Sequence, residues 1–250
     1  LPRDSLFRPD ENRLLATRPP EEVNRLLPNL ELVTLHLGQV MADAGQAPTH
    51  AYFPTTAIVS MVYVTENGDS AEIAVIGNDG VVGISLFLGG DRTPGCTVVH
   101  NAGQAYRLPS RHLAAEFERR AVVMRLLLRY TQALVTQITQ TAVCNRHHHL
   151  EQQLCRWLLL RLERSVTDEL TVTHEIISTL LGVRREGVSH EAHKLQVSGL
   201  IRYRRGKLWV LDREGLMRVV CECFGVVHKE YERLLPAPDA GQGPRAHLSP

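Results

Sequence analysis

The chain lacks the short motifs that mark an enzyme. It has no phosphate-cradling Walker loop, no nucleophile elbow and no metallohydrolase spacing. No acid, base and nucleophile converge by sequence, so a non-enzymatic role is expected. It also lacks an apolar run of the roughly 18 residues that a membrane-spanning helix requires, and no membrane partner is expected. Cysteine is scarce: five residues, Cys96, Cys144, Cys155, Cys221 and Cys223, odd in number and widely spaced. With no signal-peptide pattern, that usage points to reduced thiols in a cytoplasmic setting. Net charge is nearly absent too, at +1 over 250 residues, so the total says nothing about partners.

The distribution of charge says more. Residues 30–109 carry two basic side chains, Arg92 and Arg107, against seven acidic ones. Residues 184–213 carry eight Lys and Arg against three acids. Cationic charge gathered within one short stretch is the electrostatic footprint of a phosphate-binding surface.

Hydrophobic periodicity divides the chain. Residues 1–10 form an irregular arm, and Glu11 to Leu27 gives two short helices broken at Pro19-Pro20. From Leu30 the period shifts towards two. Strands are predicted at 33–37, 51–53, 57–64, 71–76, 96–100 and 104–108, separated by turn signals such as Asn67-Gly68 and Gly89-Gly90. The turn Gly77-Asn-Asp-Gly80 is glycine-rich only by coincidence. Many short strands with regular turns suggest an antiparallel, jelly-roll-like β-roll. A short helix capped by Ser110 follows. A long helix then covers 121–145, where there is neither Gly nor Pro. It bears two apolar stripes: Val123, Leu127, Tyr130 and Leu134, then Leu128, Val135, Ile138 and Ala142. One roll buries only one stripe, so the second is expected to meet the same helix of another subunit. Further helices are predicted at 148–165 and 217–235, and the Pro- and Gly-rich tail 236–250 as disordered. The architecture is therefore α+β: a β-roll over 1–120, a dimerisation helix over 121–145 and a C-terminal domain over 146–235.

The most informative stretch runs from Thr173 to Ile201. Thr171 and Thr173 are candidate N-caps, Ile176, Ile177, Leu180 and Leu181 give an apolar face, and Gly182 suits a sharp turn at positive φ. Val183 plugs the core. A second helix exposes Arg184, Arg185, Glu186, Ser189, His190 and His193, with Val188, Ala192, Leu195 and Val197 inward. A basic hairpin, Arg202 to Leu211, follows. This is the pattern of a winged helix-turn-helix, whose second helix enters the major groove of duplex DNA. Arg185 suits guanine O6 and N7, and Glu186 suits cytosine N4. Thr173, Arg184, Ser189 and His190 are further contacts. Arg202, Arg204, Arg205 and Lys207 on the wing are read as backbone contacts that position without specifying. The competing reading is a small-molecule sensor or interaction module whose winged helix packs protein.

The order of roll, long helix and winged helix-turn-helix resembles the Crp/Fnr superfamily of bacterial transcription regulators. The segment Leu180-Leu-Gly-Val-Arg-Arg-Glu-Gly-Val188 is similar to that family's recognition segment. The resemblance implies that Arg185 and Glu186 read bases, with His190 where many members carry arginine. It implies a homodimer joined along the long helix, an N-terminal domain of cyclic-nucleotide-binding type that biases the DNA-reading domains, and RNA polymerase as a partner if the protein activates. Aligned on the family's cyclic-AMP pocket, its glutamate falls on Ile84 and its Arg-Ser pair on Pro94 and Gly95. Isoleucine accepts no hydroxyl proton and proline offers no cation, so ordinary cyclic-AMP binding is not expected and the cofactor stays unassigned. Ile84, Ser85, Arg92, Thr93 and Tyr130 are the candidate effector-pocket residues. The family's iron–sulfur sensors need a cysteine cluster, largely near the N-terminus, and none lies before Cys96 in this sequence; a haem sensor stays open, but no residue compels it. Cys144 and His148 stand four residues apart, a spacing that suits a metal, and His147 and His149 flank them. A polar helix junction is the preferred reading there. Cys221-Glu-Cys223 has no partner pair close by in sequence, so no metal is assigned.

Overall fold

The computed structural model describes residues 8, 11–17, 20–90, 92–119, 122–165 and 167–235. The tail predicted to be disordered and most of the N-terminal arm lie outside them. Two short helices, α1 (Arg13–Ala16) and α2 (Pro20–Leu26), lead into seven antiparallel strands. These are β1 (Glu31–Leu35), β2 (Val40–Ala42), β3 (His50–Pro54), β4 (Ile58–Val64), β5 (Ser70–Ile76), β6 (Cys96–Asn101) and β7 (Gly103–Pro109). They form two sheets, ordered β1-β7-β3 and β2-β6-β4-β5. Alternation sends Leu35, Val59, Ile76, Val99 and Ala105 into the space between them. Strand β2 and the short helix α3 (Ser85–Leu88) were not predicted; segments this short carry no legible period.

Helix α4 (Ser110–Glu118) follows β7, and its N-cap is Pro109 without a side-chain cap, not Ser110. Helix α5 (Val122–His147) is the predicted rod, 26 residues or about 39 Å long. Its two stripes separate in part. Val123, Leu127, Tyr130 and Leu134 are buried, and Leu128 is 44% and Val135 is 55% exposed, but Ile138 of the second stripe is half-buried and packs against the core. Among the described residues no helix is long and apolar enough to cross a membrane.

The C-terminal region comprises α6 (Leu150–Leu162), β8 (Glu169–Thr171), α7 (His174–Leu181), α8 (Arg185–Val197), β9 (Ile201–Arg204), β10 (Lys207–Val210), α9 (Arg213–Val219) and α10 (Glu222–Leu234). Strand β8 pairs with β10, giving a three-stranded sheet β8-β10-β9 behind the predicted hairpin. The single last helix predicted at 217–235 is two helices, because the chain turns extended at Val220 and Cys221. Val197, predicted inward, is 73% exposed at the end of α8.

Two buried arginines of α6 and its C-terminal edge join this region to the roll. Arg161 donates from Nη1 to Glu72 Oε1 at 3.1 Å and from Nη2 to Ser60 Oγ at 3.1 Å, and a second contact to Glu72 Oε2 makes the pair bidentate. Its guanidinium also lies 3.6 Å from the Trp157 ring centroid. Arg164 pairs with Asp79 at 2.7 Å and donates to Gln137 of α5 at 3.2 Å. The turn glycines are not coincidental. A Cβ on Gly77 would sit 2.5 Å from Arg164 Cβ, and one on Gly80 2.7 Å from the Tyr130 hydroxyl. Only glycine lets the turn approach α5 and α6 this closely.

Candidate nucleic-acid interface

The helix-turn-helix is built from local signals. Thr173 caps α7, its Oγ1 accepting from the Ile176 amide at 3.2 Å. Thr171, the other candidate cap, is instead the last residue of β8. Helix α7 ends at Gly182, whose φ of 66° lies in the left-handed region that glycine adopts without a Cβ penalty. Val183 is half-buried against the core between the helices, as predicted. Helix α8 then starts at Arg185, with Arg184 extended at the N-cap and no side chain capping the helix. Its first-turn amides and the positive end of its dipole are therefore open to an anion. Val188, Ala192 and Leu195 are buried beneath.

Arg184, Arg185, Glu186 and His190 are exposed on the outer side of α8. Arg185 faces solvent and its Nε lies 3.6 Å from Glu175 Oε2 of α7, with both side chains about two-thirds exposed. Such a surface pair contributes little and is readily exchanged for another acceptor. Ser189 is less free. Its Oγ is 3.0 Å from His174 Nδ1, and the His174 ring stacks on Tyr203 at 4.3 Å between centroids. Burial, aided by Arg185, holds the His174 imidazole below its ordinary pKa of 6.5. It is thus uncharged near pH 7 and orients Ser189 rather than adding charge. His174 and Tyr203 were not anticipated; their roles depend on contacts across the motif.

The four wing bases differ in availability. Lys207 pairs with Glu169 of β8 at 2.6 Å, and the ammonium holds that carboxyl below its ordinary range. Arg202 lies over the Trp209 ring at 4.8 Å. Arg204 is exposed at the end of β9, facing Lys207 across the hairpin. Arg205 sits at the tip with φ 52°, followed by Gly206 with φ 77°. Two positive φ angles in a two-residue loop make a type I′ turn. A non-glycine residue in that region carries roughly 1 kcal/mol of strain, and the turn itself places Arg205 at the wing tip.

The candidate effector pocket is assembled only in part. Ile84, Ser85 and Thr93 line a cavity between the sheets together with His50, Tyr52 and Met61. Arg92 and Tyr130 are not among its lining residues. Arg92 is exposed, and Tyr130 is fully buried on α5, where desolvation pushes its phenol well above the ordinary range. The cavity holds about 30 Å³, room for one or two waters against the roughly 300–1,000 Å³ of small-molecule pockets. Side chains fill the roll's interior in this conformation. A wider cleft of about 520 Å³ opens elsewhere, between α1, the 77–80 turn, α6 and α10, lined by Arg13, Asp79, Arg164, Arg213, His228 and Glu232.

Comparisons with known proteins agree with this architecture. Residues 152–219 match the family model of the Crp-like helix-turn-helix domain. A putative Crp/Fnr-family transcriptional regulator from Eubacterium rectale superposes with a TM-score of 0.65 at 16% identity, covering 84% of this chain and 98% of that one. FixK2 from Bradyrhizobium japonicum gives 0.63 at 14% identity, covering 77% and 98%. A Crp/Fnr-family regulator from Thermus thermophilus gives 0.59 at 20% identity, covering 76% and 97%. No curated protein matches the sequence. Residues 152–219 thus form a Crp-like helix-turn-helix domain, carried on a fold that the whole chain shares with these regulators.

Proposed function

We propose that the protein acts as a homodimer that places two α8 helices in successive major grooves of a near-palindromic operator, about 34 Å apart. The carrying observation is the outward N-terminus of α8, where Arg185 and Glu186 stand side by side, exposed and free of core contacts. Arg185 reads guanine and Glu186 reads cytosine. Arg184, His190 and Ser189 supplement them, Thr173 donates its hydroxyl hydrogen to phosphate, and Arg202, Arg204, Arg205 and Lys207 grip the backbone. The exposed stripe of Leu128 and Val135 on α5 supports the dimer, since large apolar side chains in a row are normally covered. An effector or signal shifts the population of domain orientations. Where the output is activation, RNA polymerase is the partner. Catalysis is no part of this reading, and the site of action is the cytoplasm.

Selection of bound fragments from random duplexes, followed by affinity measurements over a range of salt, tests the assignment. A palindromic consensus and a steep salt dependence are expected; no salt-dependent affinity for duplex DNA would favour the protein-packing alternative. Arg204→Ala should weaken specific and nonspecific DNA alike and lower the slope of log K against log salt by about 0.9. An unchanged slope removes Arg204 from the phosphate contacts. Val135→Glu should turn the dimer into a monomer by light scattering and abolish palindrome binding. A dimer that survives it would move the interface off α5.

A further inference from the structure

Two features that look unrelated in sequence meet in space. Cys144 lies in the last turn of α5 and His148 just beyond it, while Cys221 caps α10 and Cys223 lies in its first turn. Their four donor atoms all lie within 4.8 Å of one another. Cys144 Sγ is 3.6 Å from Cys221 Sγ, and Cys223 Sγ is 3.6 Å from His148 Nδ1. The three cysteines are buried, at 0%, 4% and 1% exposure.

The two 3.6 Å spacings match edges of one coordination tetrahedron, and the other donor pairs lie within 4.8 Å. Zinc bonds of about 2.3 Å to sulfur and 2.0–2.1 Å to nitrogen imply edges of about 3.8 Å for S···S and about 3.6 Å for S···N. A disulfide brings two sulfurs to about 2.05 Å and leaves Cys223 and His148 without a role. The surroundings fit a metal as well. With Nδ1 turned to the sulfurs, His148 turns Nε2 to Glu222 Oε1 at 3.3 Å. That is the carboxylate–histidine arrangement that fixes the tautomer of a metal-bound imidazole. Gln153 Nε2 donates to the His148 carbonyl at 2.9 Å and steadies the backbone there. Buried Arg156, which donates to Thr141 Oγ1 at 3.0 Å, lies beside Cys144 and offsets the excess negative charge of three thiolates on a divalent ion.

We propose that Cys144, His148, Cys221 and Cys223 bind a single zinc ion in a closed, four-ligand site. It staples the end of α5 to the start of α10. Each thiol releases its proton to solvent as its sulfur–zinc bond forms, and His148 binds as the neutral imidazole through Nδ1. All four positions come from protein, so the site has no open position for catalysis. It joins the helix proposed for dimerisation to the DNA-reading domain, where rigidity sets the relative placement of the two α8 helices.

The test uses the full chain, purified under reducing conditions and stripped by chelation. Zinc titration should give one ion per chain, with release of protons and a raised melting temperature. Cobalt(II) should give the intense visible bands of a tetrahedral thiolate site. Cys223→Ser and His148→Gln should lose the ion on gel filtration, Cys96→Ser should keep it, and Glu222→Gln should weaken zinc about 10–100-fold. No stoichiometric binding by the wild-type chain would overturn the site, and so would tetrahedral thiolate bands that survive in a Cys221→Ser/Cys223→Ser variant. If the variants fail to fold, the wild-type cobalt spectrum decides alone. Metal content is read without DNA, so its outcome is separate from that of the operator experiments.

Discussion

Glu72→Ala should cost about 3–5 kcal/mol of unfolding free energy, because it strands the guanidinium of Arg161 in the interior. Arg161 is 1% exposed, and both oxygens of Glu72 face it, with Ser60 closing the network. Burying two charges is itself expensive, and their pairing roughly offsets that expense; removing one partner leaves the whole desolvation penalty of the other. The size of the loss therefore measures burial rather than the net worth of the bridge. Glu72→Gln should cost less, since an amide oxygen still accepts one guanidinium hydrogen bond. Replacing the pair together, Glu72→Leu with Arg161→Met, should recover most of the stability, as buried pairs replaced by apolar groups of similar volume often do. Urea unfolding of the wild type, Glu72→Leu, Arg161→Met and the double variant gives the coupling energy directly. A loss below about 1 kcal/mol for Glu72→Ala would mean that Arg161 reaches water, and hence that the helix-turn-helix domain swings off the roll. Glu72 lies on β5 and Arg161 on α6, so this is also a measurement of how firmly the two units are joined.

Arg185→Ala should weaken the best operator by about 1–3 kcal/mol, or roughly 5- to 150-fold, and erase discrimination at one base pair per half-site. Affinity for unrelated duplex should fall far less, because phosphate contacts carry most nonspecific binding. Arg185 has no buried partner to break, only an exposed contact with Glu175 at 3.6 Å, so the folded state should lose little. That separates a reading residue from a structural one: a large change in unfolding free energy would argue against the assignment. Lysine is not expected to rescue specificity, because a single ammonium cannot reproduce the planar two-donor fork. Competition against operators with every single-base change is the measurement. An unchanged ranking of those variants would exclude Arg185 from base reading.

The helix-turn-helix was legible because its determinants are near neighbours. Thr173 and Ile176, Gly182 and its turn, and the spacing of Val188, Ala192 and Leu195 all lie within two helical turns. The same holds for α5, whose two stripes follow from periodicity and from the absence of helix breakers. What escaped notice was short or distant. Strand β8 is three residues long and takes its identity from pairing with β10. The predicted pocket set fell apart because Tyr130, on the first apolar stripe of α5, was already committed to the core, while Arg92 stays in solvent. Val197 continues the apolar spacing of α8, yet the helix ends there and nothing covers it.

Periodicity, capping and the cationic patch determined from the chain alone that there is a roll, a rod and a helix-turn-helix, because each is encoded by residues a few positions apart. Only the tertiary structure decided that Arg161 meets Glu72, 89 positions away, and that Cys144 meets Cys221, 77 positions away. Those contacts depend on how α6 and α10 dock on the roll and on α5. Docking is set by the summed burial of whole faces, which no local spacing records.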